Sequence, residues 1–221
     1  MSGDFLTIEE TASTLSVSTR HARRLADSGA ITRVARGLVD RHSVDRYLQS
    51  QRQGRTRAWA EHTAWGTVAI LSGQDPEWLG ATQASRLRSI LREMSDADEL
   101  LTRMRDRARV HPFEAHRASL PRLRQLITAT NLLLLGITDA VDDSVDGYLA
   151  ESDLDATVRT LGLRAEAGGA VVLRTTGFDF ARVRDLVGTT TVAALDAATS
   201  TNPRLRGVGR RALGDLLQAY R

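Results

Sequence analysis

Apolar side chains near the amino end recur at helical spacing. Ile8, Ala12 and Leu15 share one face over residues 8–15, and Thr7 stands three residues ahead of Glu10. Hydroxyl and carboxylate can then each satisfy a backbone N–H left free at the helix start. Ser16-Val17-Ser18 interrupts the pattern, and Ser18 is placed to cap a second helix over residues 19–28, ended by Gly29. On that helix Ala22, Leu25 and Ala26 point inward, while Thr19, Arg20, Arg23, Arg24 and Asp27 point outward. The pattern then changes: residues 31–35 and 38–41 read as two strands about Arg36-Gly37, where glycine supplies a positive φ. Ser43 is expected to cap a further helix over residues 44–51, laying Val44, Tyr47 and Leu48 over the first two helices.

The polar run from Gln51 to Arg57, with Gly54 inside it, separates this module from the rest. The expected organisation is a module over residues 1–53, a linker over 54–57 and a larger region over 58–221. In that region Trp59, Ala64, Trp65, Val68, Ala69 and Leu71 describe a buried helix closed by Ser72-Gly73. Leu87, Ile90, Leu91 and Met94 describe an amphipathic helix over 82–94. Ser95 is expected to cap another, with Asp98 as its reciprocal acid and Leu100, Leu101, Met104 and Ala108 inside. Pro121 suits the first turn of a helix carrying Leu123, Leu126 and Ile127. Residues 110–116, 132–135, 147–150 and 170–175 read as short strands, with a helix from Ser152 to Leu161 and a Gly168-Gly169 hairpin turn, a grouping that suggests a second small winged unit. Two helices close the region, over 191–199 and 203–220. The second is capped by Asn202 and striped with Leu205, Val208, Ala212, Leu213, Leu216, Leu217 and Tyr220, a surface for the core or for a dimer. The fold class is mainly α (α+β): an N-terminal winged helix-turn-helix followed by a mostly helical domain with a few short strands.

Charge sharpens the division. The chain of 221 residues carries a net +3, and all its Lys and Arg positions are Arg. Residues 1–57 hold ten Arg against six acids, net +4, and residues 58–221 hold twenty against twenty-one, net −1. The basic excess therefore sits on the first module, as attraction to phosphate requires. The absence of Cys excludes a disulfide framework and thiolate chemistry and fits a cytoplasmic protein. No secretory signal is read at Met1-Ser2-Gly3-Asp4, and the aliphatic run Leu132 to Leu135 is too short to span a membrane.

A helix fits the major groove of double-stranded DNA, where Arg reaches guanine O6 and N7 with two hydrogen bonds. The candidate DNA contacts are Ser18, Thr19, Arg20, His21, Arg23 and Arg24 on the second helix, with Arg33, Arg36 and Arg41 around the hairpin. The run from Leu6 to Ala12, Leu15 to Ser18, Ile31, Arg36-Gly37 and Arg41 to Leu48 resembles the excisionase and MerR-type winged helix-turn-helix family. That resemblance implies that Thr19, Arg20, Arg23 and Arg24 meet bases and phosphates and that Arg36 meets the backbone or minor groove. Ala22 stands where many members carry a larger apolar residue. Residues 58–221 resemble the regulatory half of actinobacterial AbiEi-type antitoxins through Asp146-Gly147-Tyr148-Leu149, Val171-Val172-Leu173-Arg174, and Ala194-Leu195-Asp196 onward through Asn202-Pro203-Arg204 to Leu216-Leu217. Gly169-Ala170 departs from the Gly-Asn expected before the valines. This second resemblance implies a repressor of its own operon that antagonises a nucleotidyltransferase-like cognate toxin.

Other constellations are weaker. Asp142-Asp143-Ser144-Val145-Asp146-Gly147 imitates a calcium loop, but its twelfth position is Asp153 rather than Glu, and Asp146-Gly147 also reads as a turn. Gly207-Val208-Gly209-Arg210-Arg211-Ala212 has dinucleotide-loop spacing but lies inside an expected helix. Arg103, Arg105, Arg107, Arg109, His111, His116, Arg117, Arg122 and Arg124 form a second basic stretch, read as a solvated edge or a further contact with DNA or an acidic partner. No catalytic constellation, cofactor or metal site is expected. The alternative functions are a ligand-responsive regulator, with a small molecule among Trp59, Trp65 and Trp78, and an excisionase-like architectural protein that bends DNA.

Overall fold

A computed structural model of the chain describes residues 5–15, 17–35, 37–45, 47, 57–138 and 144–221. It is mixed α and β structure in which helix predominates, divided into two units, Met1–Arg57 and Ala58–Arg221.

In the first unit β1 (Phe5–Thr7) leads directly into α1 (Ile8–Leu15), followed by α2 (Thr19–Asp27), β2 (Arg33–Ala35) and β3 (Leu38–Asp40). The Thr7 amide donates to the Glu10 carboxylate at 2.8 Å and the Glu10 amide donates to Thr7 Oγ1 at 3.1 Å, so both orphan donors of the first turn are satisfied. Hydrogen bonds from Thr7 hold the Glu10 carboxyl below the usual carboxylate range. Ser18 caps α2 by accepting from the His21 amide at 3.2 Å. The three strands form an antiparallel sheet in the order β1-β3-β2, with Leu6 opposite Val39 and a bulge between Arg33 and Ala35. Leu6, Ile8, Ala12, Leu15, Ala22, Leu25, Ala26, Ile31, Val39 and Val44 make its core. Ala22 is fully enclosed within this core.

The helix expected from Val44 begins earlier, and residues 41–45 are already helical. Asp40, not Ser43, is the cap: its carboxylate accepts from the Ser43 amide at 2.9 Å. Ser43 is instead a buried link, accepting from the Thr32 amide at 2.9 Å and donating to the Asp40 carbonyl at 2.7 Å. Leu48 and the expected end of this helix lie outside the described residues.

The second unit is built on a five-stranded sheet of β4 (Arg109–Glu114), β5 (Thr128–Ala129), β6 (Val145–Ala150), β7 (Arg164–Ala165) and β8 (Val171–Thr176), in the order β5-β6-β8-β4-β7. Its helices are α3 (Glu61–Leu71), α4 (Ala81–Glu93), α5 (Ala97–Met104), α6 (Leu120–Leu126), α7 (Leu154–Leu161), α8 (Phe180–Val187), α9 (Thr190–Thr199) and α10 (Pro203–Tyr220). Alternation along the central strands gives the sheet two apolar faces. Val145, Leu149, Val171 and Leu173 meet Leu120 and Leu123 of α6 and Leu161 of α7. Tyr148, on the other face of β6, joins a larger core with Trp65 of α3, Leu91 of α4, Leu100 of α5, Leu186 of α8, Leu195 of α9 and Leu213 of α10.

Four local expectations are corrected. Leu132–Leu135 is a short 3₁₀ turn, not a strand, because Asn131 accepts from the Leu133 amide at 3.2 Å and Gly136 closes the turn at φ 71°. Asp96 rather than Ser95 caps α5, accepting from the Asp98 amide at 2.9 Å, so the expected Ser95–Asp98 box is replaced. Gly168-Gly169 is not a hairpin turn, since β7 pairs with β4 and β4 lies between β7 and β8. A Cβ on Gly169 would fall 2.2 Å from the Phe113 carbonyl oxygen, so the glycine lets the chain cross against β4. Finally, β6 and β8 are parallel and α7 lies on the crossover between them, which is a βαβ unit and not a second winged unit. One helix, α8, falls outside the expected set; Asp179 caps it by accepting from the Ala181 amide at 3.0 Å. Among the described residues no helix is long and apolar enough to cross a membrane.

Candidate functional site

The outward face of α2 follows from its inward one. Ala22, Leu25 and Ala26 are buried, so helical geometry turns Arg20, Arg24 and Asp27 to the opposite side with Thr19 and Arg23 flanking them. Thr19, Arg20, Arg23 and Arg24 are all exposed. Arg24 Nη2 lies 3.0 Å from His21 Nδ1, and Arg33 is held by Asp27 across an exposed salt bridge. Arg20 and Arg23 form no side-chain hydrogen bond or ion pair among the described residues. Their guanidiniums keep all their donors available to a ligand.

The remaining predicted contacts divide by geometry. The hydroxyl oxygen of Ser18 accepts the cap hydrogen bond, which leaves its O–H free to donate. His21 is half-buried beneath Arg24, and Arg41 is half-buried in the first turn of the helix after β3. Arg36 lies outside the described residues. Gly37 adjoins it at φ 81°, and the Ile8 amide donates to the Gly37 carbonyl at 3.1 Å, anchoring this end of the hairpin to α1.

In the second unit, the strongest polar feature is one that composition and motif reading missed. Asp196 of α9 is buried, and its carboxylate accepts from Arg107 Nη2, from Tyr148 Oη at 2.8 Å and from Thr130 Oγ1 at 2.7 Å. Arg174 Nε lies 3.5 Å from the same carboxylate and grips Asp146 with two hydrogen bonds of 2.8 Å. Strand register explains the meeting: Asp146 pairs with Val172 and Tyr148 with Arg174, which puts Asp146, Tyr148 and Arg174 on the face of the sheet turned to α3 and α9. Burial pushes the Asp196 carboxyl up, but Arg174, Arg107 and the hydroxyls of Thr130 and Tyr148 outweigh it and hold it below the ordinary value. Burial pushes the Tyr148 phenol up, and the charge of Asp196 adds to that. With both carboxylate oxygens engaged, Asp196 has little capacity left for a substrate, and the cluster acts as an internal fastening between α9, the sheet and Arg107. A signal was present in the sequence: Asp196 is a lone carboxylate in the apolar run Val192 to Ala198, a position that demands a buried partner.

The weaker constellations resolve differently. Asp142 and Asp143 lie outside the described residues, and the Asp146 carboxylate of that calcium-like run is taken by Arg174. Among the described residues no cluster of His, Asp and Glu is placed to hold a metal ion. Gly207 and Gly209 sit within α10, so the dinucleotide-like spacing opens no loop. Of the second basic stretch, Arg107 is buried on Asp196 rather than on a solvated edge, Arg103 pairs with Glu99 and lies over Trp59, and Arg109 pairs with Glu151. The indoles are engaged in packing: Trp65 donates to the Arg107 carbonyl at 3.0 Å, and Trp78 packs on Phe178 beneath Arg182. No protein-family model, curated protein or solved structure matches the chain.

Proposed function

We propose that the protein is a sequence-specific DNA-binding transcriptional regulator whose first unit works as a winged helix-turn-helix. In this reading α2 enters the major groove with Arg20 and Arg23 toward bases and phosphates, and the β2–β3 hairpin is the wing beside it. The observation that carries the reading is the pair of exposed guanidiniums on α2 without internal partners, in a segment of net +4. The surrounding helices and sheet give that face a fixed backing, as groove recognition needs.

The test is duplex selection from a random pool with the full chain, followed by fluorescence anisotropy on the selected site. Arg20→Ala and Arg23→Ala should each weaken that site by roughly 10- to 100-fold, the loss of a bidentate base contact, and weaken random duplex much less. Equal losses on both, with the salt slope reduced by about 0.9, would assign the residue to phosphate instead. Failure to retain any duplex at low ionic strength would sink the proposal.

The second unit serves protein contact. The AbiEi-type resemblance supports an antitoxin that represses its own operon in the cytoplasm and binds a nucleotidyltransferase-like cognate toxin. The three runs that carry the resemblance supply Asp146, Tyr148, Arg174 and Asp196 of the buried cluster, while Arg107 and Thr130 come from outside them. Co-expression with a nucleotidyltransferase-like toxin from an adjacent reading frame should restore growth and co-purify both chains; absence of such a frame, or a toxin that stays active and unbound, would remove the antitoxin role.

A further inference from the structure

We infer that the outer flank of α10 is a two-fold interface between copies of this chain. The buried row of the helix is Gly209, Leu213 and Leu217. Beside it runs a second row at alternating spacings of four and three, Val208, Ala212, Asp215 and Ala219, the spacing by which helices pair along a seam. With Leu134 and Leu135 of the 3₁₀ turn, Thr190, Arg211 and Leu216, this row lines an open trough of about 600 Å³. Leu133 and Leu134 stand 66% and 44% exposed next to it, an apolar surface that water disfavours.

Charge selects the occupant. Arg211 and Asp215 are exposed on this flank, and neither side chain forms an ion pair or hydrogen bond among the described residues. A two-fold axis passing between them sets two α10 helices antiparallel, and Arg211 of each copy then faces Asp215 of the other. The same operation lays Val208 against the small Ala219 and places Ala212 near the axis, where a methyl group permits close approach. The patch is complementary to itself, as a two-fold interface requires. The dimer deepens the regulator reading by supplying the symmetry for paired half-sites, but its test reads mass and is independent of DNA.

Sedimentation equilibrium of the full chain should give twice the chain mass at micromolar concentration. Arg211→Glu and Asp215→Arg should each weaken the dimer on the order of tenfold or more, because each creates like-charge contacts at both symmetry-related positions. Mixing the two variants should restore association, since the introduced glutamate of one then meets the introduced arginine of the other, while the native Asp215 and Arg211 that each retains meet across the interface. That rescue also shows that both variants are folded. A wild-type chain that remains monomeric, or a dimer indifferent to both reversals, overturns the inference, as does occupation of this flank by the toxin alone.

Discussion

Asp196→Ala should lower the unfolding free energy of the second unit by about 3–5 kcal/mol, the usual cost of stranding buried charge. Arg107 and Arg174 are both buried, and Asp196 is the carboxylate they share. Its removal leaves Arg174 with Asp146 and leaves Arg107 with the long contact from Nη1 to the Met104 carbonyl, 3.4 Å. Among the described residues Arg107 Nε already has no partner, so no alternative acceptor is in place. Urea unfolding followed by tryptophan emission is the suitable measurement, because Trp65 donates to the Arg107 carbonyl and meets Tyr148 edge-on at 5.7 Å. The difference should also depend on pH. A carboxyl whose folded value is depressed stabilises the fold fully above its unfolded value, about 3.9, and loses that contribution as pH falls through the folded value. Wild type and variant should therefore converge in acid. A loss below about 1 kcal/mol at neutral pH would mean that water or another group compensates the arginines.

Gly209→Ala and Gly214→Ala, one chemical change made twice in α10, should have opposite signs. A Cβ at Gly209 falls 2.2 Å from the Ala198 amide nitrogen and 2.6 Å from the Ala194 carbonyl oxygen, both backbone atoms of α9. Neither can swing aside, so the helices must separate, at a cost of about 1–3 kcal/mol or more after the better helix propensity of alanine is counted. A Cβ at Gly214 meets nothing within 4 Å, and the same propensity should stabilise the chain by about 0.5–1 kcal/mol. Thermal unfolding of the two variants beside wild type decides it. Equal shifts would show that α9 and α10 do not rely on the close approach.

Legibility followed the range of the interaction. The Thr7–Glu10 box, the Ser18 and Asn202 caps and the inward rows of α1 and α2 depend on residues a few positions apart, and they are found in the structure, whereas on α4 Leu87 and Leu91 are buried but Ile90, expected beside them, is exposed. Errors arose where two local groups competed, as at Asp40 against Ser43 and Asp96 against Ser95, because composition does not say which carboxylate or hydroxyl reaches the free amide. The four leucines 132–135 had no alternation to report and were decided by Asn131 and Gly136. At the candidate interface, the exposure of Arg20 and Arg23 was readable from the periodicity of α2, whereas the tethering of Arg33 to Asp27 and of Arg24 to His21 was not.

The primary chain therefore settled most of the helical stretches, the apolar sides of α1 and α2 and which segment concentrates positive charge, since each depends on near neighbours or on simple counting. Strand order, the passage of Gly169 beside Phe113, the contact of Gly209 with α9 and the gathering of Arg107, Asp146, Tyr148, Arg174 and Asp196 were decided only in three dimensions. Each joins segments far apart along the chain, and burial alone determines whether a charge among them must find a partner.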